Sequence, residues 1–522
     1  MRKRNCVLAV TLLGLWALGL CVLPGPSNAK ELIVADILLP TSCDPAVGAD
    51  VVSRAFSYAA YEPLLRYKPG TTELEPCLAE SYEASKDGLK YTLNLRKNVK
   101  FQDGSPFNAE AVKFSIERIK KINRAPAIYV ATIKSVDVID ANKVGINLEA
   151  VDTSFPQRLP MVYIVSQKYV KDHEQAGDLG QKFLNENMMG GTGPYYMDKL
   201  VPNEYAVLAK YKDYWRGWKT NNIDQIIWRQ VKESTTRRLM LEKGDIQVSN
   251  RLAADDLVAL EKNPNIKIAE AMSFTVEYLR MNVKKKPFDD IRVRRAMAYA
   301  LNYKGVIEQV QQNHASPLYG PMPKGLFGHN DTLKSFEQDM TKAKKFLEEA
   351  GYKPGQLSFT FVYLKEQPFM KTIGELLQSD LREIGVDMKM QETTWVTLLG
   401  MVKDPETTPQ MFDGASGDAA IDDSVEYLTK QFHSKSTAGA SWNQNWYINP
   451  KVDELLDKAK VTVNADERAR YLKEVQSIVY EDLPQLFIFR EHTMKPMLKS
   501  VMGYVLDPLS WGQFNFYDMY IQ

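Results

Sequence analysis

The stretch GDAAIDDSVEYL, residues 417–428, sets Asp418, Asp422, Asp423 and Glu426 within nine positions of one another. Carboxylates this close can cage a metal, act as an acid/base pair, clamp a cationic ligand group, or open a charged helix. A calcium loop would place Asp418 at position one and Asp422 at position five. Position three is then Ala420, Asp423 replaces the glycine at six, and Thr429 replaces the glutamate at twelve, so that reading fails. Asp423-Ser424-Val425-Glu426 fits a capping box, with Asp423 as N-cap and Glu426 three residues on. Asp418, and after it Asp422, remain as clamps for a ligand at the mouth of that helix.

Other chemistry finds little support. The run Gly414-Ala415-Ser416-Gly417 lacks the spacing of a nucleophile elbow. Gly190-Gly191-Thr192-Gly193 lacks the Gly-Lys-Ser/Thr of a phosphate loop and reads as a tight turn entering a strand. The five histidines, at 173, 314, 329, 433 and 492, form no i, i+4 pair and have no neighbouring cysteine, so no metal site is expected. Two carboxylates of a hydrolase could come from anywhere in the chain, so that class stays open as a remote alternative. The tryptophans outside the leader are 215, 218, 228, 395, 442, 446 and 511. Trp442 and Trp446, set among Asn443, Gln444 and Asn445, suit a site for polar organic ligands best.

The elements that must position these groups follow from periodicity. Residues 30–39, 91–95, 205–211, 223–231, 386–390 and 486–489 read as strands. Residues 136–148 read as a hairpin about Asp140-Ala141-Asn142-Lys143. Asn108 caps a helix bearing Val112, Ile116 and Ile119; Asp289-Asp290 opens another; further helices end at Gly351 and Gly385, and a long one covers about 466–480. Strands and helices mixed throughout predict α/β or α+β layers. At 522 residues, two to four domains are expected.

Residues 1–29 differ from the rest. Arg2, Lys3 and Arg4 precede an apolar run over 7–23, then Pro24-Gly25-Pro26 and the small residues Ser27-Asn28-Ala29. This reads as a secretory signal cleaved after Ala29, with an uncleaved anchor as the alternative. Cleavage removes three of 66 basic residues, leaving 63 against 65 acidic ones and a net charge of −2. A near-neutral chain argues against a nucleic-acid partner. The apolar pattern predicts a mature chain that does not span the membrane. Cys43 and Cys77 remain after cleavage, as a disulfide or as two separate buried thiols.

Seven stretches, in order, resemble the peptide/nickel/opine class (family 5) of extracellular solute-binding proteins that serve ATP-binding-cassette importers. They are LAESYEASKDGLKYTLNLRKNVKFQDGSPFNAEAVKFSIER (78–118), GTGPY (191–195), YKDYW (211–215), KKPFDDIRVRRAMAYALN (285–302), KAKKFLEEAGY (342–352), INPKVDELLDKA (448–459) and DLPQLFIF (482–489). The resemblance implies an α/β, two-lobed periplasmic binding protein of type II (cluster C) with an extra inserted small domain. Residues 30–62, 186–265 and 491–522 would form lobe I, 63–185 the inserted domain, and 266–490 lobe II. It further implies a periplasmic, monomeric protein without catalysis or cofactor. Such a protein buries a di- or oligopeptide between lobes and delivers it to an inner-membrane permease complex. An opine, a sugar conjugate or a chelated metal such as nickel is the alternative ligand.

The resemblance also implies site residues. Peptide-binding relatives carry a segment like Trp-x-x-Asp-x-x-x-Pro-Asp whose aspartate pairs with the ligand's α-ammonium. Aligned through Tyr427 and Phe432, this chain has Gly417 at the tryptophan and Ala420 at that aspartate; a shift of two brings Asp418 there. The amine clamp is therefore displaced to Asp418 or missing, and a missing one would mean a different ligand. Trp395, Tyr278 and Tyr129 match positions that line or contact the ligand, and Lys365 in FVYLKEQ matches a carboxylate contact. Ser42-Cys43-Asp44-Pro45 matches a lobe I loop at the cleft, and a Cys43–Cys77 bond would tether it to the inserted domain.

Overall fold

The computed structural model describes residues 30–413, 421–437, 442–507, 509 and 514–522. Its spine is a pair of long antiparallel strands, Ile266–Met281 and Gln485–Leu498. They stay in register from Ile266↔Leu498 to Met272↔His492, break between Met272 and Val276, and shift again between Glu277 and Tyr278. Such irregularities bend a strand and increase its twist. The change in environment falls at the same place: from Ser273 onward Ile266–Met281 is buried on both faces, whereas its first half is partly exposed.

On one side of this pair lies a largely parallel array. The apolar run of Glu31–Asp36, buried on both faces from Val34 to Asp36, pairs in parallel with Gln225–Gln230 and with Val248–Ser249. Val248 then meets Met497 of the long pair. On the other side, Met411–Asp413 pairs antiparallel with the long strand and parallel with Leu357–Leu364, which pairs in parallel with Val386–Thr393. Together they make one eleven-stranded sheet crossing both halves of the molecule.

Each half has its own core. Leu32, Val34, Phe56, Tyr61, Tyr195 and Trp228 anchor the first. Val276, Leu279, Met297, Ile373, Leu456 and Val479 belong to the second, where the helices Ile291–Ala300, Pro368–Glu383, Pro450–Val461 and Ala465–Asp482 bury their apolar stripes. A third core fills a four-stranded sheet, Ala79–Ala84, Lys90–Leu95, Lys143–Leu148 and Ile133–Asp140, under the helix Ala109–Ile122. Side chains of Tyr163, Val165, Tyr169, Val170 and Leu184 pack into the first core instead.

The expected caps form. The Asn108 side-chain Oδ1 accepts from Ala111 N at 3.0 Å and the Asp290 carboxylate from Arg292 N at 2.8 Å. The long helix runs to Asp482, two residues beyond the expected end, because Leu483 adopts the left-handed terminal conformation (φ 48°) directly before Pro484. On the buried face of Ala109–Ile122, Arg118 reaches the loop at 42–48 and donates to both oxygens of Asp44, at 2.8 and 2.6 Å, with both side chains sealed from water. Cys43 and Cys77 are both free and buried, so no disulfide tethers this loop; the Arg118–Asp44 pair does. Burial pushes the Cys43 thiol up to about 12, and that of Cys77 further.

Candidate functional site

In open α/β sheets a ligand crevice forms beyond the carboxyl ends of the parallel strands. Here Asp36 ends one strand and Asn250-Arg251 follow another. Beyond them is a cavity of about 190 Å3, closed on its far side by the long strand pair. Glu491, Thr493 and Lys495 enter from one face of Gln485–Leu498, at the period of two a strand dictates, with Thr275 beside them. Trp228 forms an apolar wall, held by a 3.1 Å bond from its ring nitrogen to the Leu38 carbonyl and by edge-on packing against Phe56 and Phe514.

A polar network fixes the charged wall. Asp36 accepts from Arg251 Nη1 at 2.9 Å, Asn250 Nδ2 at 2.8 Å and its neighbour Ile37 N at 2.6 Å. Asn250 Oδ1 in turn accepts from the Lys495 ammonium. Behind them the buried Arg237 guanidinium donates to the carbonyls of Val231, Lys232, Asn250 and Arg251, so the 250–251 backbone cannot drift. Lys495 is 4% exposed, and burial pushes its ammonium down to about 8.

A second polar surface lies where the inserted sheet domain meets the helix Ser424–Phe432. Asp423 caps that helix as expected, accepting from Glu426 N at 3.0 Å. It also accepts from Arg158 Nη2 at 3.0 Å and Ser154 Oγ at 2.7 Å, residues of the inserted domain. Asp422 accepts from Phe327 N at 3.0 Å and from the Thr72 hydroxyl, and its own N–H donates to Tyr67 OH at 3.2 Å. Burial pushes its carboxyl up to about 6.

The expected site residues are scattered by comparison. Asp418 lies outside the described residues. Asp422 sits on the seam just described and not on the cavity wall. Tyr278 is core: fully buried, with its hydroxyl 2.5 Å from that of Tyr427. Beside it the buried Arg280 donates to the Trp442 carbonyl at 2.6 Å, while its Nε and Nη2 have no hydrogen-bond partner among the described residues. Trp442 is 37% exposed, and Trp446, half-buried, donates to Thr408 Oγ1 at 2.8 Å. Trp395 and the exposed Lys365 follow the paired carboxyl ends Thr393 and Leu364 of two parallel strands, with Lys365 N bonded to Thr393 O at 3.0 Å. Tyr129 packs half-buried on the inserted-domain core. Ser42 is buried, and its hydroxyl donates to Asn185 Oδ1 at 2.5 Å while accepting from Asp44 N. Ser42→Ala is therefore expected to lower unfolding free energy by about 1 kcal/mol in denaturant melts and leave solute affinity within roughly twofold. A tenfold affinity loss at unchanged stability would place Ser42 on the ligand instead.

The cavity residues carry one sequence signal that was not used: charged or amide side chains where an apolar strand ends, as in ELIVAD and QVSNR. The histidines hold a similar lesson. His314 and His492, far apart in sequence, both reach Glu270 Oε1, at 3.3 and 2.5 Å, and His314 also reaches Glu261 at 3.1 Å. Among the described residues no group of three or more His, Cys, Asp or Glu is arranged to hold a metal ion.

The family model "Bacterial extracellular solute-binding proteins, family 5 Middle" matches residues 73–439. The chain belongs to family 5 of the bacterial extracellular solute-binding proteins. A probable D,D-dipeptide-binding periplasmic protein of Escherichia coli is 30% identical over 495 residues, 94% of either chain. Heme-binding protein A of Haemophilus influenzae is 30% identical over 513 residues, 94% of this chain and 92% of that one. The solved periplasmic binding protein DppA from Helicobacter pylori, in complex with the peptide STSA, is 27% identical with a TM-score of 0.74, covering 94% of this chain and 98% of its own. As a family 5 member the chain has the type II periplasmic binding protein fold, and its relatives are binding proteins. No helix among the described residues is long and apolar enough to cross a membrane.

Proposed function

We propose that this chain, exported and cleaved after Ala29, captures a di- or oligopeptide or a related small polar solute and presents it, as a monomer, to an inner-membrane permease complex. The observation that carries this reading is the cavity at the carboxyl ends of the first half's parallel strands, roofed by the bent strand pair that joins the two halves. A bend in two crossing strands is where a hinge absorbs rotation, and contacts made only when the halves meet make ligand and closure interdependent. The wall offers oriented donors and acceptors beside one tryptophan face, a composition suited to a small polar organic solute.

The test is thermal melting of the mature protein against peptides of two to five residues, opines, sugar conjugates and nickel chelates, with mass spectrometry of what is released on denaturing protein from its host. A peptide is expected to raise the melting temperature by several degrees, as ligand at about 100 times Kd adds about 2.7 kcal/mol. Stabilisation by non-peptides alone would sink the peptide assignment; hydrolysis of a peptide in the same samples would sink the binding-only role.

A further inference from the structure

The geometry points to an anion subsite in the first half of the cleft, where Lys495, backed by Arg251, receives a carboxylate of the captured solute. The inference rests on the binding-protein reading and names the ligand chemistry that this site selects.

A buried ammonium carries three N–H donors and normally has a carboxylate partner, because desolvating an unpaired charge is costly. Lys495 has neither carboxylate nor full complement: its one hydrogen-bond acceptor among the described residues is the neutral Asn250 Oδ1, and its other close neighbour is the Phe514 ring, 5.0 Å to the centroid. Asp36, the carboxylate that acts on this ammonium, is already occupied by Arg251, Asn250 and the Ile37 amide. The charged groups around this ammonium are Asp36 from the first strand, Arg251 from the loop after Val248–Ser249, Arg237 behind that loop, and Glu491 from its own strand. Lys495 is one of the residues lining the cavity, so a solute that enters it comes against this side chain. A carboxylate there would supply the missing counter-charge, and the adjacent Arg251 adds a second cation to the same wall. Asn250 is the positioning residue: it ties the ammonium to the Asp36–Arg251 pair and fixes the direction of the free donors.

The protonation balance has a definite sign. Burial holds the unliganded ammonium down near 8, and a bound carboxylate would raise it, so the complex binds protons more tightly than the free protein. Affinity for an acid is then full below pH 8 and falls, by up to about tenfold per pH unit, as pH rises above it.

The experiment uses matched pairs on the whole mature chain: trialanine and trialanine amide, glutarate and glutaramide, each by melting shift and calorimetry from pH 6.5 to 9.5. The expected result is that an acid binds at least tenfold tighter than its amide. That preference should fade above pH 8 and vanish in Lys495→Met, whose apolar side chain keeps the volume. Equal binding of acid and amide by the unsubstituted protein overturns the subsite and leaves the binding reading standing, and needs no variant to fold. An acid preference that survives both Lys495→Met and high pH overturns it too. Response to glutarate without trialanine supports the subsite and overturns the peptide assignment. Response to neither acid overturns the subsite; binding of any other solute in the panel then still upholds the broader reading.

Discussion

Replacing Arg158 with alanine is expected to be the most damaging single change to closure. Arg158 lies in the inserted domain and Asp423 in the opposite half, 265 residues away in sequence; their side chains are only 13% and 3% exposed. Arg158 Nε is also 3.5 Å from Asp152, so the guanidinium bridges the two carboxylates. Burial pushes the Asp423 carboxyl up, against the pull of Arg158, the Glu426 amide and the Ser154 hydroxyl. Removing the guanidinium leaves a carboxylate sealed in the seam with its charge uncompensated, a loss of about 3–5 kcal/mol for buried pairs. Opening relieves that penalty by returning Asp423 to water, so the loss appears as a shift toward the open form. Even at the lower bound the closed-to-open ratio and the solute affinity at pH 7.5 should fall by roughly 100-fold. A fluorophore pair on the inserted domain and on Ala465–Asp482 reads the first, calorimetry the second. Arg158→Lys should recover part of the loss, since an ammonium can meet the Asp423 carboxylate but not span Asp152 as well. Lowering the pH should also recover part of the loss, because burial favours the protonated Asp423 carboxyl. An alanine variant within threefold of the unsubstituted protein would mean that the seam does not govern closure.

Much of this architecture was legible locally, and the reasons are local. The helices announce themselves by 3.6-residue stripes and by Asn108, Asp290 and Asp423 as caps, each of which bonds an amide two or three residues ahead. The strands around 30–39 and 223–231 show as apolar runs, and the ordered motifs pointed to the family that the comparisons give. The cavity was illegible because its wall is assembled from 36, 51–52, 228, 250–251, 275 and 491–495, segments far apart in the chain. Tyr278 and Ser42 stand on elements bordering the cleft, but which face of an element points to solvent is set by its neighbours. Tyr427 claims the first and Asn185 the second. Asp423 was read as a helix cap and nothing more, since its partner Arg158 leaves no trace in the surrounding sequence.

The neighbouring carboxylate should behave in the opposite sense: Asp422→Asn is expected to strengthen closure at neutral pH. In this structure Asp422 is buried between Phe327 N, Thr72 and Tyr67, and burial raises its carboxyl from 3.8 to about 6. The hinge proposed above would, on opening along this seam, withdraw Thr72 and Tyr67 and let water return, bringing the group back toward its ordinary value. The closed form therefore holds more protons than the open form between about pH 4 and 6. Closure is favoured most below that window and weakens as pH rises through it, with the full cost reached above pH 6. The difference of about two pH units corresponds to about 3 kcal/mol at most, and residual hydration at a group not wholly sealed brings the expectation to about 1–3 kcal/mol. Asparagine keeps the oxygen that Phe327 N needs, offers an N–H to Thr72 or Tyr67, and carries no charge. The variant should bind its solute roughly 5- to 100-fold more tightly at pH 7.5 than the unsubstituted protein, with the gap narrowing as pH falls and closing below about pH 4. Asp423, pushed upward by the same burial, leaves the variant a residual slope in the same direction. Affinities measured from pH 4.5 to 8 distinguish this from a ligand clamp. A clamp residue loses affinity when its charge is removed, and most of all at neutral pH, where a carboxylate that grips an ammonium is ionised.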